Sequence, residues 1–127
     1  MSRVVVTGAS DGIGKSIAIK LTSDGHQVIL FGRDEQRLKA VATQCGDAEY
    51  YTFDLNNIAE MNEVVSKIST NGVDVLINNA GIWHKVGDLE TLDDALIQDV
   101  IATNLTSQIL LTKRLLRSIR SSKGILS

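Results

Sequence analysis

The feature that most constrains the fold of this chain is the stretch VVVTGASDGIGKS at residues 4–16. A run of β-branched residues passes there through a glycine-rich turn into a segment with helical periodicity. A helix that starts in this way presents its backbone N–H groups and the positive end of its dipole to an anion. The stretch therefore predicts a phosphate-binding turn between a strand and a helix.

The alternation of strand and helix continues along the chain and predicts an α/β fold. Strands alternating with helices of this length require right-handed crossovers and a parallel sheet. We expect one domain over residues 1–127, a partial Rossmann-type domain with a doubly wound parallel sheet, truncated at the start of the fifth strand at residues 124–127. The four earlier strands are predicted at Arg3–Val6, Gln27–Phe31, Tyr50–Phe53 and Val73–Ile77.

Apolar residues at helical spacing predict the helices between these strands. Asn57, with Glu60 in capping-box register, is predicted to open the third helix. A short helix is predicted to start near Thr91, and the longest helix is predicted from about Ala102 to Arg120. The apolar stripes expected are Ile13, Ile17 and Leu21 in the first helix, Ile58, Met61, Val65 and Ile68 in the third, and Leu105, Ile109, Thr112, Leu116 and Ile119 in the last.

Composition argues against several classes of protein. The net charge is −2 and charged residues make up 22%, so no basic surface for nucleic acid is expected. No apolar run approaches the ~20 residues of a membrane span, and the N-terminus shows no signal-peptide pattern. The single Cys45 is expected to be a packed thiol, and neither His26 nor the loop residue His84 has a partner at metal-ligand spacing. We therefore expect a cytoplasmic protein without a nucleic-acid partner, membrane or metal.

Two kinds of phosphate site fit the opening turn. Residues 9–16 nearly match the P-loop of nucleoside triphosphatases, although Ala9 stands where a strict P-loop has glycine. In a dinucleotide-binding turn, by contrast, Gly8 allows the sharp turn, Gly12 lets the pyrophosphate approach the backbone, and Gly14 lets the helix pack closely on the sheet. A strand-to-helix turn that merely needs glycine, without a ligand, remains the third alternative.

Two further motifs favour the dinucleotide-binding turn over the P-loop and over a turn without a ligand. Asp54-Leu55 follows the third strand, and Asn78-Asn79-Ala80-Gly81 follows the fourth. With the turn at Thr7–Gly14, the order and spacing of these motifs resemble those of the short-chain dehydrogenase/reductase family. The resemblance implies a Rossmann sheet that binds a nicotinamide dinucleotide, and an oxidoreductase that transfers hydride between the coenzyme and a carbonyl or hydroxyl group. Asn104, in Thr103-Asn104-Leu105, resembles the family's catalytic asparagine.

The resemblance also assigns expected roles to residues around the coenzyme. Ser10 and Ile13 would line the turn around the phosphates, and Asp54 would hydrogen-bond the adenine. Leu55 would contribute through its backbone, and Asn79–Gly81 would flank the adenosine ribose. The residues implied at the coenzyme are Gly8, Ser10, Asp11, Gly12, Ile13, Gly14, Arg33, Asp54, Leu55, Asn79, Ala80 and Gly81.

The end of the second strand bears on which dinucleotide binds. A carboxylate there accepts the ribose hydroxyls of NAD, whereas a guanidinium meets the 2′-phosphate of NADP. Gly32 stands where NAD-preferring relatives usually have an acid, and Arg33 follows, which resembles the NADP-preferring pattern. Asp34 is expected to cap the next helix, and Asp11 stands where many NADP-binding relatives carry a basic residue. NADP is therefore the expected cofactor, with NAD as the alternative.

The family's catalytic Tyr-x-x-x-Lys pair is absent from these 127 residues. The lysine is needed because a phenol with a pKa near 10 is a poor base at neutral pH. Tyr50 and Tyr51 are followed at the fourth position by Asp54 and Leu55, and both are expected to pack in the third strand. We expect either the inactive coenzyme-binding portion of a reductase or a non-catalytic dinucleotide-binding or interaction module. The expected truncation would leave one edge of the sheet unpaired and an apolar strip on the long helix uncovered, so we expect a homo-oligomer.

Overall fold

The computed structural model describes residues 1–81, 89–122 and 125–126, so the predictions for His84 and for the end of the fifth strand at Ser127 lie outside it. The strands are β1 Arg3–Val6, β2 Gln27–Gly32, β3 Glu49–Thr52, β4 Val75–Ile77 and β5 Ile125–Leu126. The helices are α1 Gly12–Ser23, α2 Glu35–Gln44, α3 Ile58–Ser69, α4 Asp94–Ile101 and α5 Ser107–Ser121, with a 3₁₀ turn at Leu89–Thr91.

The strands form one parallel sheet in the order β3-β2-β1-β4-β5. The chain moves outward from β1 to β3 on one side and then returns to β4 on the other side of β1. Val6 pairs with Ile77, so β1 and β4 end at the same level. A crevice is expected at such a reversal of strand order, outside the carboxyl ends of the strands. The predicted Rossmann-type parallel sheet is confirmed.

Helices cover both faces of the sheet, which explains why its strands are almost continuously apolar. Val5, Ile29 and Phe31 point into a core that α3 and α5 cover. Val4 and Leu30 point to the other face, where α1 and α2 cover them. Cys45 is buried as a free thiol in this second core, as its place on a helix face predicts.

Side-chain caps fix where α2 and α3 begin, at the residues that the sequence predicts. Asp34 accepts a hydrogen bond from the Arg37 backbone N–H at 3.0 Å, which confirms its role as the cap of α2. Asn57 accepts from the Glu60 N–H at 3.1 Å and opens α3 in the same way. Each cap satisfies one of the amides that a helix start leaves without an intrahelical partner.

The apolar stripe predicted for the last helix is wrong over most of its length. Leu105 and Ile109 are 57% and 58% exposed, and only Ile119 of the predicted set is fully buried. The helix is also not uniform, because a π-helical turn at Ala102–Thr106 joins α4 to α5 and shifts the helical phase. The residues that face the core are Thr103, Ser107, Leu111, Leu115 and Ile119.

Two polar residues on the buried face explain this error. Asn56 donates a hydrogen bond to the Thr103 hydroxyl at 2.8 Å and accepts one from the Ser107 hydroxyl. The two hydroxyls can therefore be buried without an unsatisfied polar group. Because their positions interrupt the apolar pattern, the periodicity favoured the face that carries Leu105 and Ile109.

Two other apolar predictions also need correction. Ile13 is 73% exposed, because the first turn of α1 projects beyond the end of the sheet, where the crevice lies. Ile58 is 46% exposed at the start of α3, where Val64 is buried instead. Phe53 and Val73, predicted as strand residues, are buried just outside β3 and β4.

Candidate functional site

A crevice of about 350 Å³ opens at the carboxyl edge of the sheet, where the ends of β1, β2, β3 and β4 meet. Every residue predicted to contact the coenzyme lines this crevice except Gly14, which is buried behind it in α1. The structure adds lining residues that the sequence did not predict at the coenzyme, among them Phe31, Phe53 and Thr103. Residues that lie up to 95 positions apart on the chain, from Gly8 to Thr103, are thereby brought together in one concave surface.

The glycine turn packs too closely on the end of β4 to admit any side chain at two of its positions. Gly8 has a φ of +62°, and a Cβ placed on it would lie 2.9 Å from the Cα of Ala80. A Cβ on Gly14 would lie 2.2 Å from the Gly8 carbonyl oxygen and 2.5 Å from Nδ2 of Asn79. Glycine is thus required at Gly8 and Gly14 by contact with neighbouring backbone.

Gly12 differs from these two glycines because it faces open space. Its φ is +56°, and nothing in the described part of the chain lies within 4 Å of a Cβ placed there. It is the first residue of α1 and lines the crevice together with Ile13, so the start of this helix faces the crevice. An anion placed here would meet both these donors and the positive end of the helix dipole.

Thr7 holds the glycine turn and the end of β4 together, a role that no sequence motif indicates. Its side chain is fully buried, and its Oγ1 accepts from the backbone N–H of Asn79 at 2.9 Å and of Ala80 at 2.8 Å. Nδ2 of Asn79 donates in turn to the Gly8 carbonyl oxygen at 3.1 Å. The Asn79 side chain therefore positions the turn, in addition to the contact with the ribose that the family resemblance implies for it.

Ion pairs cross the end of the crevice that β2 and β3 form. NH1 of Arg33 lies 3.8 Å from Oδ2 of Asp54, and both side chains are about half exposed. NH1 of Arg37 lies 3.4 Å from Oδ2 of Asp11, and its Nε lies 3.7 Å from Oδ2 of Asp34. The isolated Arg33–Asp54 pair is half exposed, so it contributes little stability and exchanges readily. A ligand phosphate can therefore replace the carboxylate beside Arg33.

Asn104 lies on the π-helical turn, next to the end of the Asn-Asn-Ala-Gly motif. Its Oδ1 would be 3.2 Å from a Cβ placed on Gly81. It also lines a second cavity of about 260 Å³, with Asn78, Gln108 and Thr112 among the other lining residues. Turns of π-helix are frequent at functional sites. The sequence patterns predict an ordinary helix here and did not indicate this turn.

Two negative findings apply to residues 1–81, 89–122 and 125–126. No group of three or more His, Cys, Asp or Glu side chains in these ranges is placed to hold a metal ion. None of the helices there has the length and apolar character needed to cross a bilayer.

Comparison with known proteins agrees with this geometry. The family model described as short chain dehydrogenase matches residues 2–126. A short-chain type dehydrogenase/reductase of Sinorhizobium fredii is 37% identical over 115 residues, which cover 91% of this chain and 45% of the relative. The very-long-chain 3-oxoacyl-CoA reductase of Kluyveromyces lactis is 33% identical over 126 residues, covering 93% of this chain and 36% of the relative. The chain thus spans less than half the length of these two relatives.

Solved structures match over almost the whole chain. A short chain dehydrogenase from Salmonella enterica superposes with a TM-score of 0.91 at 32% identity, covering 98% of this chain and 56% of that one. A metagenomic short-chain oxidoreductase in complex with NADP gives a TM-score of 0.91 at 33% identity, covering 98% and 59%. With its strand order, its glycine turn and the family match over residues 2–126, the chain belongs to the short chain dehydrogenase family.

Proposed function

We propose that the crevice binds a nicotinamide dinucleotide, NADP(H) in preference to NAD(H), as the coenzyme site of an oxidoreductase that transfers hydride to or from a carbonyl or hydroxyl group. The observation that carries the proposal is the open N-terminus of α1 at Gly12, which faces a crevice that the family's motif residues line. The NADP complex of the metagenomic relative supports the class of coenzyme.

The residues that line the crevice match the parts of a dinucleotide in order, from the start of α1 to the ends of β2 and β3. The pyrophosphate would bind the amides at the start of α1, beside Ser10 and Gly12. The adenosine half would lie towards Arg33 and Asp54, which line the end of the crevice at β2 and β3. When bound, the coenzyme supplies or accepts the hydride, and the residues of this chain bind and orient it.

Preference for NADP is proposed from the side chain at the end of β2. Arg33 offers a planar, permanently charged donor to a 2′-phosphate, and Gly32 before it offers no carboxylate to ribose hydroxyls. Because the Asp54 carboxylate lies 3.8 Å from NH1 of this guanidinium, it would compete with the 2′-phosphate for that nitrogen.

Titration calorimetry with NADPH and NADH tests both the site and its preference. We expect NADPH to bind about tenfold more tightly, the effect of one charge-assisted phosphate contact. Arg33→Ala should remove most of that difference and leave NADH affinity within about twofold, whereas Arg117→Ala, an exposed arginine on α5, should change neither. Equal affinities in the unaltered chain would contradict the NADP preference, and no binding of either coenzyme would contradict the proposed function.

The chain by itself is proposed not to catalyse. Burial and a hydrogen bond to Glu49 raise the pKa of Tyr51 to about 12, and a hydrogen bond to Glu35 raises the pKa of Tyr50. Neither phenol lines the crevice that the structure describes, so neither is placed to exchange a proton there near neutral pH. Asn104 is the one residue of this chain that we propose for the catalytic machinery.

A dinucleotide-binding module without chemistry is the second candidate function, and the formed crevice supports it as it supports the first. A steady-state assay of NADPH oxidation with carbonyl substrates should show no turnover by the 127-residue chain.

A melting experiment separates both candidates from a P-loop nucleotide site: NADPH should raise the melting temperature and magnesium-ATP should not. We further propose a cytoplasmic location, with which the single Cys45 is compatible, since it cannot form an internal disulfide.

Self-association is proposed through the outer face of the long helix. Ile101, Leu105 and Ile109 recur every four residues on that face and are 52–58% exposed. The exposed Asp94 lies before this strip and the exposed Lys113 after it. Two copies packed antiparallel would bury both strips and bring the acidic end of each against the basic end of the other.

Sedimentation equilibrium checks the dimer. We expect the chain to dimerise at tens of micromolar, and Leu105→Glu to shift it to monomer because a buried, unpaired charge at the interface is costly. Ile58→Glu is the matched control, since Ile58 is 46% exposed on α3, away from the strip. A monomer at every concentration, or dissociation by both substitutions alike, would contradict this interface.

A further inference from the structure

Asp11 holds the N-cap position of α1 but does not cap the helix. Its backbone is extended, with φ −159° and ψ −178°, which is the conformation that a capping residue adopts. Its side chain nevertheless accepts no hydrogen bond from the first turn of the helix. At the starts of α2, α3 and α4, by contrast, Asp34, Asn57 and Asp93 each accept a backbone N–H.

The Asp11 carboxylate is instead directed to Arg37. Oδ2 of Asp11 lies 3.4 Å from NH1 of Arg37, and both side chains are largely exposed. Arg37 is held at the first turn of α2, where its Nε lies 3.7 Å from Oδ2 of Asp34 and its backbone N–H donates to Oδ1 of the same residue. The guanidinium thus links the first turn of α2 to the residue that precedes α1.

The sequence predicts Asp11 as a contact of the coenzyme, but a carboxylate at the N-cap of α1 would compete with a bound pyrophosphate rather than bind it. Both are anions, and both would accept the N–H groups of Ile13 and Gly14, the second and third residues of the helix. We propose that Arg37 is a positioning residue, which draws the Asp11 carboxylate aside and so keeps these amides available to the dinucleotide. The inference rests on the proposed function. Arg37 itself does not line the crevice as the structure describes it.

The proposal predicts the effect of removing the guanidinium. In Arg37→Ala the Asp11 side chain is released to cap α1, so NADPH and NADH should both bind about fivefold more weakly, by the same factor. The fold should survive, because the Arg37 side chain is 66% exposed and the cap of α2 uses the backbone N–H of residue 37. Titration calorimetry with both coenzymes measures the loss, and thermal melting checks the fold.

Two double variants matched in charge make the test specific. Alanine cannot cap a helix, whereas asparagine caps as well as aspartate does. Arg37→Ala with Asp11→Ala should therefore restore both affinities to within about twofold of the unaltered chain. Arg37→Ala with Asp11→Asn should stay weak, although it carries the same net charge.

Each remaining result overturns the proposal in a distinct way. Equal restoration by Asp11→Asn and Asp11→Ala would show that charge alone matters. A loss in Arg37→Ala confined to NADPH would make Arg37 a direct partner of the 2′-phosphate. Weak binding by Asp11→Ala alone would make Asp11 itself a ligand. If the unaltered chain binds neither coenzyme, the proposed function fails before the variants are compared.

Discussion

Gly14→Ala is expected to lower the free energy of unfolding by about 2 kcal/mol and to abolish coenzyme binding. Helix propensity alone predicts the opposite, since alanine in a helix is favoured over glycine by about 1 kcal/mol. The contact outweighs this preference, because the new Cβ would lie 2.2 Å from the Gly8 carbonyl oxygen and 2.5 Å from Nδ2 of Asn79. The glycine turn and α1 would have to separate, which displaces the phosphate-binding amides.

Ser16→Ala provides the comparison for Gly14→Ala in the same helix. Ser16 is exposed, so this substitution should raise the free energy of unfolding by a few tenths of a kcal/mol and leave coenzyme affinity unchanged. Urea unfolding and calorimetric titration measure the two quantities. If Gly14→Ala were as stable as Ser16→Ala and bound coenzyme normally, the close packing of the glycine turn on α1 would be wrong.

Thr7→Val is expected to have the other large effect, a loss of about 2 kcal/mol in the free energy of unfolding together with weakened coenzyme binding. The substitution preserves shape but removes the oxygen that accepts from the backbone N–H groups of Asn79 and Ala80, at 2.9 and 2.8 Å. The Ala80 N–H, beside a fully buried residue, would then lack its acceptor, and the Asn79 N–H would keep only its bond to the Ile77 carbonyl oxygen, at 3.1 Å. The end of β4 would then be joined to the glycine turn mainly by the bond from Nδ2 of Asn79 to the Gly8 carbonyl oxygen.

Thr7→Ser keeps the hydroxyl and removes only a methyl group, so it should cost about 1 kcal/mol and preserve coenzyme binding. Chemical denaturation of the two variants side by side separates the hydrogen bonds from packing. A result in which serine and valine destabilise equally would falsify the role given to the Thr7 oxygen.

Much of the fold followed from local patterns. The strands are apolar over nearly their whole length because both faces of the sheet are covered, and turn residues mark their ends. Asp34 and Asn57 were recognisable as caps because capping depends on residues three positions apart. The crevice followed from the motifs, since the carboxyl ends of neighbouring parallel strands meet at one edge.

The features that the sequence did not reveal depend on long-range contacts. The hydrogen bonds from Asn79 and Ala80 to Thr7 join residues 72 and 73 positions apart. The buried face of α5 was misjudged because Asn56, on a distant segment, satisfies the buried hydroxyls of Thr103 and Ser107. The uncapped start of α1 was equally hidden, since Arg37, 26 residues away, takes the Asp11 carboxylate.

The central claim is that the backbone amides at the start of α1 bind the phosphates of a nicotinamide dinucleotide. A ¹⁵N-resolved NMR titration of the 13.8 kDa chain with NADPH reads these amides one by one. The account predicts that the largest shifts occur at Gly12, Ile13 and Gly14, followed by Asn79–Gly81. Saturable shifts confined to the second cavity around Asn104 and Gln108, with the start of α1 unchanged, would contradict it.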